Sequence, residues 1–197
     1  MPKVSEQHRE ARRDQIVDAA LRCFSVSGFQ RTSMADIIAE SGLSAGAIYG
    51  HFESKESLLS AVAGRILSAR GSELEALHSR RGPLSPGEIV AALISGIRSE
   101  SFDTSLLLQV WAEAAVNPEL RTILQGVLVR VRATLRPHVA AWAELHPEQA
   151  GDDPEGYADR VIPVLMGLLP GFIVQRTIVD DFDADAYVAA LPAVLPH

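Results

Sequence analysis

The 197-residue chain has a single cysteine, Cys23, which excludes an internal disulfide and any cysteine-cluster metal site. Positive charge is not in excess. Eighteen Lys and Arg against 25 Asp and Glu leave a net charge of −7, which at first sight counts against a nucleic-acid partner. No long uninterrupted apolar run is present: the longest, VIPVLMGLLPGFIV at residues 161–174, is broken by Pro163 and Pro170. It falls short of the roughly 20 residues that span a bilayer, so no membrane segment is expected. The first twenty residues have no apolar core, so a secretory leader is not expected either. Alternating strand patterns and Asn-Gly hairpin signals are missing. So are a Gly-rich phosphate loop, a nucleophile-elbow sequence and any HExxH or comparable spacing among the six histidines. Neither catalysis, cofactor nor metal is therefore expected. A soluble, cytoplasmic protein of globular composition is left, with 47% hydrophobic and 22% charged residues.

What is there is helical periodicity almost throughout, and the expected class is all-α. Ile16, Val17, Ala20, Leu21, Cys23 and Phe24 form an apolar stripe on a helix of about residues 9–27, with Gly28 as its stop. The stripe placement makes Cys23 an inert buried thiol. Ser33 fits an N-cap with Asp36 as the acidic partner of a capping box, and Met34, Ile37 and Ile38 form the apolar face of the short helix that follows. That helix ends near Ser41-Gly42. Ser44 fits the next cap, flanked by Leu43 and Ile48 as a hydrophobic staple, and this third helix covers about residues 45–51. Ser54 caps a fourth that runs towards Arg80, with Leu58, Leu59, Val62, Ile66 and Leu67 as its buried stripe. The GPLSPG stretch at 82–87 reads as a linker. Further helices are expected over 88–100, 104–116, 118–145, 155–178 and 184–195. Pro137, Pro163 and Pro170 should kink or end them.

Residues 33–52 carry the recognisable chemistry. Two short helices joined by about three residues around a glycine, with a further helix before them, make a helix-turn-helix. The second helix of such a pair enters the major groove of double-stranded DNA. The stretches IVDAALRCFSVSGFQRTSMADIIAESGLS and GAIYGHFESKESLL resemble the DNA-binding domain of the TetR family of bacterial transcription regulators, across residues 9–62 without insertion.

The resemblance implies a three-helix DNA-binding domain over residues 9–70 and a larger helical ligand-binding and dimerisation domain over 71–197. It implies that Thr32 and Ser33 meet a phosphate through hydroxyl and backbone N–H. Ser44, Ala45, Gly46 and Ala47 would approach base edges, while Tyr49, His51 and Lys55 would hold phosphates. An arm carrying Arg9, Arg12 and Arg13 would follow the backbone or reach the minor groove. Charge distribution qualifies the acidic balance: residues 1–60 carry about −1 and residues 61–197 about −6. Ala45, Ala47 and Gly50 cannot make the bidentate hydrogen bonds that read guanine or adenine. Reading would then rest on Ser44, on alanine methyls against thymine, on close approach at Gly46, on the Tyr49 phenol and on DNA shape.

The family also implies a homodimer, an unidentified small-molecule effector and repression of a palindromic operator. The helices at about 155–178 and 184–195 are the candidate dimer face. Their Val161, Ile162, Leu165, Leu168, Leu169, Phe172 and Ile173 exceed what one buried face needs. Leu107, Trp111, Trp142, Met166 and Phe172 are candidate walls of an effector pocket, with Gln109, Glu113 and Gln175 as polar anchors. The alternative is a helical ligand-binding or interaction module that does not bind DNA.

Overall fold

The computed structural model describes residues 2–99 and 105–196, and every regular element among them is a helix. The chain packs as two units. Met1–Ile66 with Leu106–Val127 form one, and Leu67–Ser105 with Leu128–His197 the other.

In the first unit, α1 spans Pro2–Arg31 and is broken by non-helical backbone at Gly28. It begins seven residues before the apolar stripe required, because Glu6, Gln7, Arg9 and Glu10 are good helix formers on the solvent side. Gly28 has φ 77° and ψ 164°, a region only glycine occupies without strain. α2 (Met34–Ser41) opens with the expected capping box: the Ser33 N–H donates to Asp36 Oδ2 at 2.8 Å and the Asp36 N–H to Ser33 Oγ at 3.2 Å. It closes on Gly42 in the left-handed conformation, φ 68°. α3 (Ala45–Tyr49) is capped by Ser44, whose Oγ accepts from the Ala47 N–H at 3.2 Å. α4 (Lys55–Arg81) starts at a reciprocal pair, Ser54 and Ser57, each N–H donating to the other's hydroxyl.

Helices of eight and five residues are far below the roughly 12–15 that persist alone in water. Their stability comes from the core. Ile16, Val17, Ala20, Phe24, Ile37, Ile48, Leu58 and Val62 are all buried, and each large side chain contributes about 1.5–3 kcal/mol. Leu21 is only half-buried, as are Ile66 and Leu67; beyond Leu58, Leu59 and Val62 the next buried position on α4 is Leu74.

α6 (Ser105–Val116) and the first part of α7 (Pro118–Leu145) belong to the first unit. Asn117 caps α7 through its side-chain oxygen, which accepts from the N–H groups of Glu119 and Leu120.

The second unit holds the rest of α4 and α7 with α5 (Pro86–Ser99), α8 (Pro147–Ala150), α9 (Pro154–Ile178) and α10 (Ala184–Val194). The expected ends of two helices at Glu100 and Thr104 lie outside the described residues. α5 packs on α9 and α10, so close that a Cβ added to Gly87 would lie 3.8 Å from the Leu191 backbone. Its cap is another box, Ser85 with Glu88. The one-turn α8 carries no apolar repeat and no sequence signal marked it.

The prolines do not end their helices: Pro137 lies inside α7, and Pro163 and Pro170 inside α9. An interior proline costs about 3 kcal/mol. Burial of Leu135 and Val139 around the first, and of Ile162, Leu165, Phe172 and Ile173 around the others, exceeds that. α9 is long and apolar enough by composition to cross a membrane, yet under a quarter of its most apolar stretch is buried. Pro163, Val164, Gly167, Val174 and Ile178 are exposed along it.

A Cβ on Gly28 would strain the backbone, and it would also meet the amide oxygen of Gln109 on α6, an exposed side chain that can move aside, so the backbone strain sets the cost. A Cβ on Gly42 meets nothing within 4 Å. Gly42→Ala should therefore cost about 1 kcal/mol for the left-handed residue alone. Gly28→Ala should cost about 2–3 kcal/mol. Urea unfolding of both variants checks the order.

Candidate nucleic-acid interface

α3 presents a small and largely apolar surface. Ile48 is its buried anchor, while Ser44, Ala45, Gly46 and Gly50 are exposed and Ala47 is half-buried. A Cβ on Gly46 would meet nothing within 4 Å, so backbone there can be approached closely. Tyr49 is 50% exposed, too open to be a core aromatic. Its neighbour Phe52 is buried, and His51 lies half-buried with its ring 6.4 Å from that of Phe52.

Three expected phosphate contacts have other work. Thr32 is buried: its hydroxyl donates to the Gly28 carbonyl at 2.7 Å and the Cys23 carbonyl at 3.2 Å. That hydroxyl closes the break in α1 and is not available to DNA. Ser33 is exposed, but its N–H and hydroxyl both donate to the Asp36 carboxylate. Those hydrogen bonds hold the Asp36 carboxyl below the usual aspartate range, so an anion already occupies the start of α2. Lys55 donates from Nζ to the Phe29 carbonyl at 2.8 Å and the Gln30 carbonyl at 3.4 Å, and sits 4.4 Å from the centre of the Phe29 ring. It fastens α4 to the end of α1.

The basic residues near the N-terminus lie on α1 rather than on an extended arm. Arg9 is exposed, Arg12 donates to Gln15 Oε1 at 3.1 Å, and the Arg13 guanidinium lies 5.2 Å from the centre of the Phe52 ring. Gln15 passes the connection on, its amide donating to the Ser41 carbonyl at 3.0 Å and so holding the end of α2. Arg22 with Glu40 at 2.6 Å also joins α1 to α2, and Arg65 with Asp18 at 2.6 Å joins α4 to α1. These pairings are 18 to 47 residues apart in the chain, and no local pattern announces them. Cys23 is half-buried rather than buried; burial, with Glu40 and Asp36 nearby, pushes its thiol up, so it stays protonated at neutral pH.

The candidate effector residues divide between the units. Leu107, Trp111 and Glu113 are half-buried on α6, and Gln109 is an exposed residue whose amide oxygen lies against Gly28. In the second unit Trp142 is buried and Met166 half-buried. Phe172 is core: it meets Phe182 at 5.6 Å and Tyr187 at 5.3 Å, edge to face. Gln175 is exposed, its amide turned back to the Gly171 carbonyl at 3.4 Å.

A family model described as bacterial regulatory proteins of the tetR family matches residues 16–62. A second, described as the C-terminal part of BetI-type transcriptional repressors, matches residues 87–196. The chain belongs to the TetR family. An HTH-type transcriptional repressor of Mycobacterium tuberculosis is 46% identical over 63 residues, which are 32% of this chain and 34% of that one. The chain thus spans about a third of that relative. The regulator BetI of Paraburkholderia phymatum is 29% identical over 195 residues, 94% of this chain and 91% of its own. Among solved structures, GusR of Salmonella enterica is 26% identical with TM-score 0.62, over 94% of this chain and 95% of that one. A transcriptional regulator from Saccharomonospora viridis in complex with choline has the same fold, at 23% identity and TM-score 0.64 over 93% and 94% of the two chains.

Within this TetR-type domain, Thr32→Val should lower stability by about 1 kcal/mol for the lost hydrogen bonds. DNA affinity per folded molecule should stay within twofold, measured by anisotropy beside a thermal melt. Asp36 has a depressed folded pKa, so its cap is at full strength above the unfolded aspartate value of about 3.9. It is lost as pH falls through the lower folded value. The protection of the Ser33 amide, its exchange rate compared with that of an unstructured amide at the same pH, should therefore fall only below about pH 4.

Proposed function

We propose that this TetR-type chain is a ligand-responsive repressor that binds a palindromic operator as a homodimer in the cytoplasm. Residues 9–70 would hold DNA and residues 71–197 the effector and the partner protomer, with no catalytic step. The observation that carries the reading is the exposed start of α3, where Ser44, Ala45 and Gly46 stand clear of the core on a helix fixed by Ile48. With no longer polar side chain at those positions, base reading falls to alanine methyls against thymine and to groove shape. Arg9, Arg12, Arg13, Tyr49 and His51 would carry the backbone contacts.

The dimer reading is supported by α9 and α10. Pro163, Val164, Gly167, Val174 and Ile178 on α9 are exposed, and so are Ala186, Ala189, Ala190, Ala193 and Val194 on α10. A Cβ on Gly167 or Gly171 would meet nothing within 4 Å, so another helix can come close there. Two copies of this helix pair make a four-helix bundle. Two recognition helices about 34–36 Å apart then fit successive major grooves. An effector that prefers a different spacing releases the DNA, by no more than its differential affinity for the two states.

Tyr49→Ala should weaken operator binding by about 1–2 kcal/mol, the loss of a charge-assisted phosphate contact and its packing, with helicity unchanged by circular dichroism. Wild-type affinity would remove Tyr49 from the interface. Val164→Arg should give a folded monomer in sedimentation velocity that binds DNA at least tenfold more weakly. Replacing contacted thymines by uracil should cost about fourfold each, from about 0.8 kcal/mol per buried methyl. A chain that binds no duplex at any salt would be the helical binding module instead.

A further inference from the structure

The second unit contains a row of rings with unused hydrogen-bonding capacity. His78 of α4 and His138 of α7 have ring centres 5.8 Å apart. Four residues along α7 from His138, and so on the same helix face, comes Trp142. Trp142 meets Tyr157 of α9 at 5.9 Å and is stacked flat on His146 at 4.3 Å. His138, Trp142 and Tyr157 are all more than nine-tenths buried.

Two polar atoms on this row are shut off from water and have no partner among the described residues: the Tyr157 hydroxyl and His78 Nδ1. Native proteins seldom leave such groups unmatched. Tyr187, by contrast, donates its hydroxyl to the Leu168 carbonyl at 3.0 Å. Burial holds the Tyr157 phenol protonated, so it is a donor in want of an acceptor.

The surroundings select against a cationic occupant. The buried polar residues described in this unit are Ser85 and His138, neither an acid. Glu73, Glu75, Glu88, Glu144 and Glu155 are exposed, and Asp159 is bound to Arg132 and Arg136. An incoming cation would lose its water and find, as countercharge near the row, only the solvated Glu75 carboxylate that acts on His138. The stacked His146 also covers one face of Trp142, so the rings do not form an open aromatic cage.

We propose that the Tyr157 hydroxyl and the His78 imidazole are the polar anchors of the effector site, and that the effector is a small planar molecule, neutral or anionic, with a hydrogen-bond-accepting oxygen. This rests on the ligand-responsive reading given above. The occupant lies along the His78–His138–Trp142–Tyr157 row, takes the Tyr157 proton in a hydrogen bond and engages His78 Nδ1.

The test uses the full chain, wild type and Tyr157→Phe, with benzoate, benzamide and 4-hydroxybenzaldehyde as acceptor-bearing probes and choline and benzyltrimethylammonium as cations. Calorimetry reads binding, and anisotropy of labelled operator DNA reads release. At least one acceptor-bearing probe should bind wild type, and Tyr157→Phe should bind it at least tenfold more weakly. The ligand-free variant should melt no lower than wild type, since an unmatched buried hydroxyl has been removed. The site is overturned by equal affinity in the variant, by binding of the cations alone, by binding of no probe, or by a lower melting temperature in the variant. DNA release separates the two levels. A Tyr157-dependent probe that leaves DNA bound keeps the site and removes the ligand-responsive reading. A probe that releases DNA regardless of Tyr157 keeps that reading and removes the site.

Discussion

The DNA-binding unit depends on how the break in α1 at Gly28 is closed. Helix carbonyls freed at a break need donors, and here they come from elsewhere in the chain. The Thr32 hydroxyl takes the Gly28 carbonyl, the Lys55 ammonium takes those of Phe29 and Gln30, and Gln109 lies over Gly28 itself. Thr32 leads directly into the α2 cap and Lys55 is the first residue of α4, so these contacts tie three helices to one turn. Removing any donor leaves a carbonyl unmatched and loosens the angle at which α2 and α3 leave α1.

That use of Thr32 and Lys55 changes how DNA can be held. Two groups that the family places on phosphates are committed to the fold, and Asp36 puts a fixed negative charge at the start of α2. On the proposed reading, attraction to the phosphate backbone would then rest on α1 and on Tyr49 and His51. With few charge contacts, the salt dependence of binding should be shallower than that of a strongly basic reader. On the same proposed reading, the apolar start of α3 would supply discrimination by shape and methyl contact instead. The acidic balance of the chain and the plain recognition helix are therefore two aspects of one arrangement.

Much of the fold was legible in the sequence because it is locally encoded. Ser33 with Asp36, Ser44, and Pro118 each act within one helical turn, and the structure has α2, α3 and α7 starting where these residues place them. Gly42 was readable for the same reason. The roles of Thr32 and Lys55 were not, because the Lys55 partners lie 25 and 26 residues away and a family motif records position rather than bonding. Pro137, Pro163 and Pro170 do not end their helices, because helix-breaking is a local cost which burial across the helix outweighs. Of the effector candidates, Phe172 is buried against Phe182 and Tyr187, a contact that an apolar stripe does not specify because it does not say which side of a helix meets another ring. The His78 to Tyr157 row joins three helices and has no sequence signature.

The central claim is that a dimer of this chain reads a palindrome through the small face of α3. Selection of randomised duplex DNA by the full chain at low salt tests it most directly. The account predicts an enriched inverted repeat, half-sites about 10 base pairs apart or a multiple of that, with thymines under α3. Several obligatory G·C pairs in each half-site, or no enrichment by a folded dimer refolded free of ligand, would contradict it.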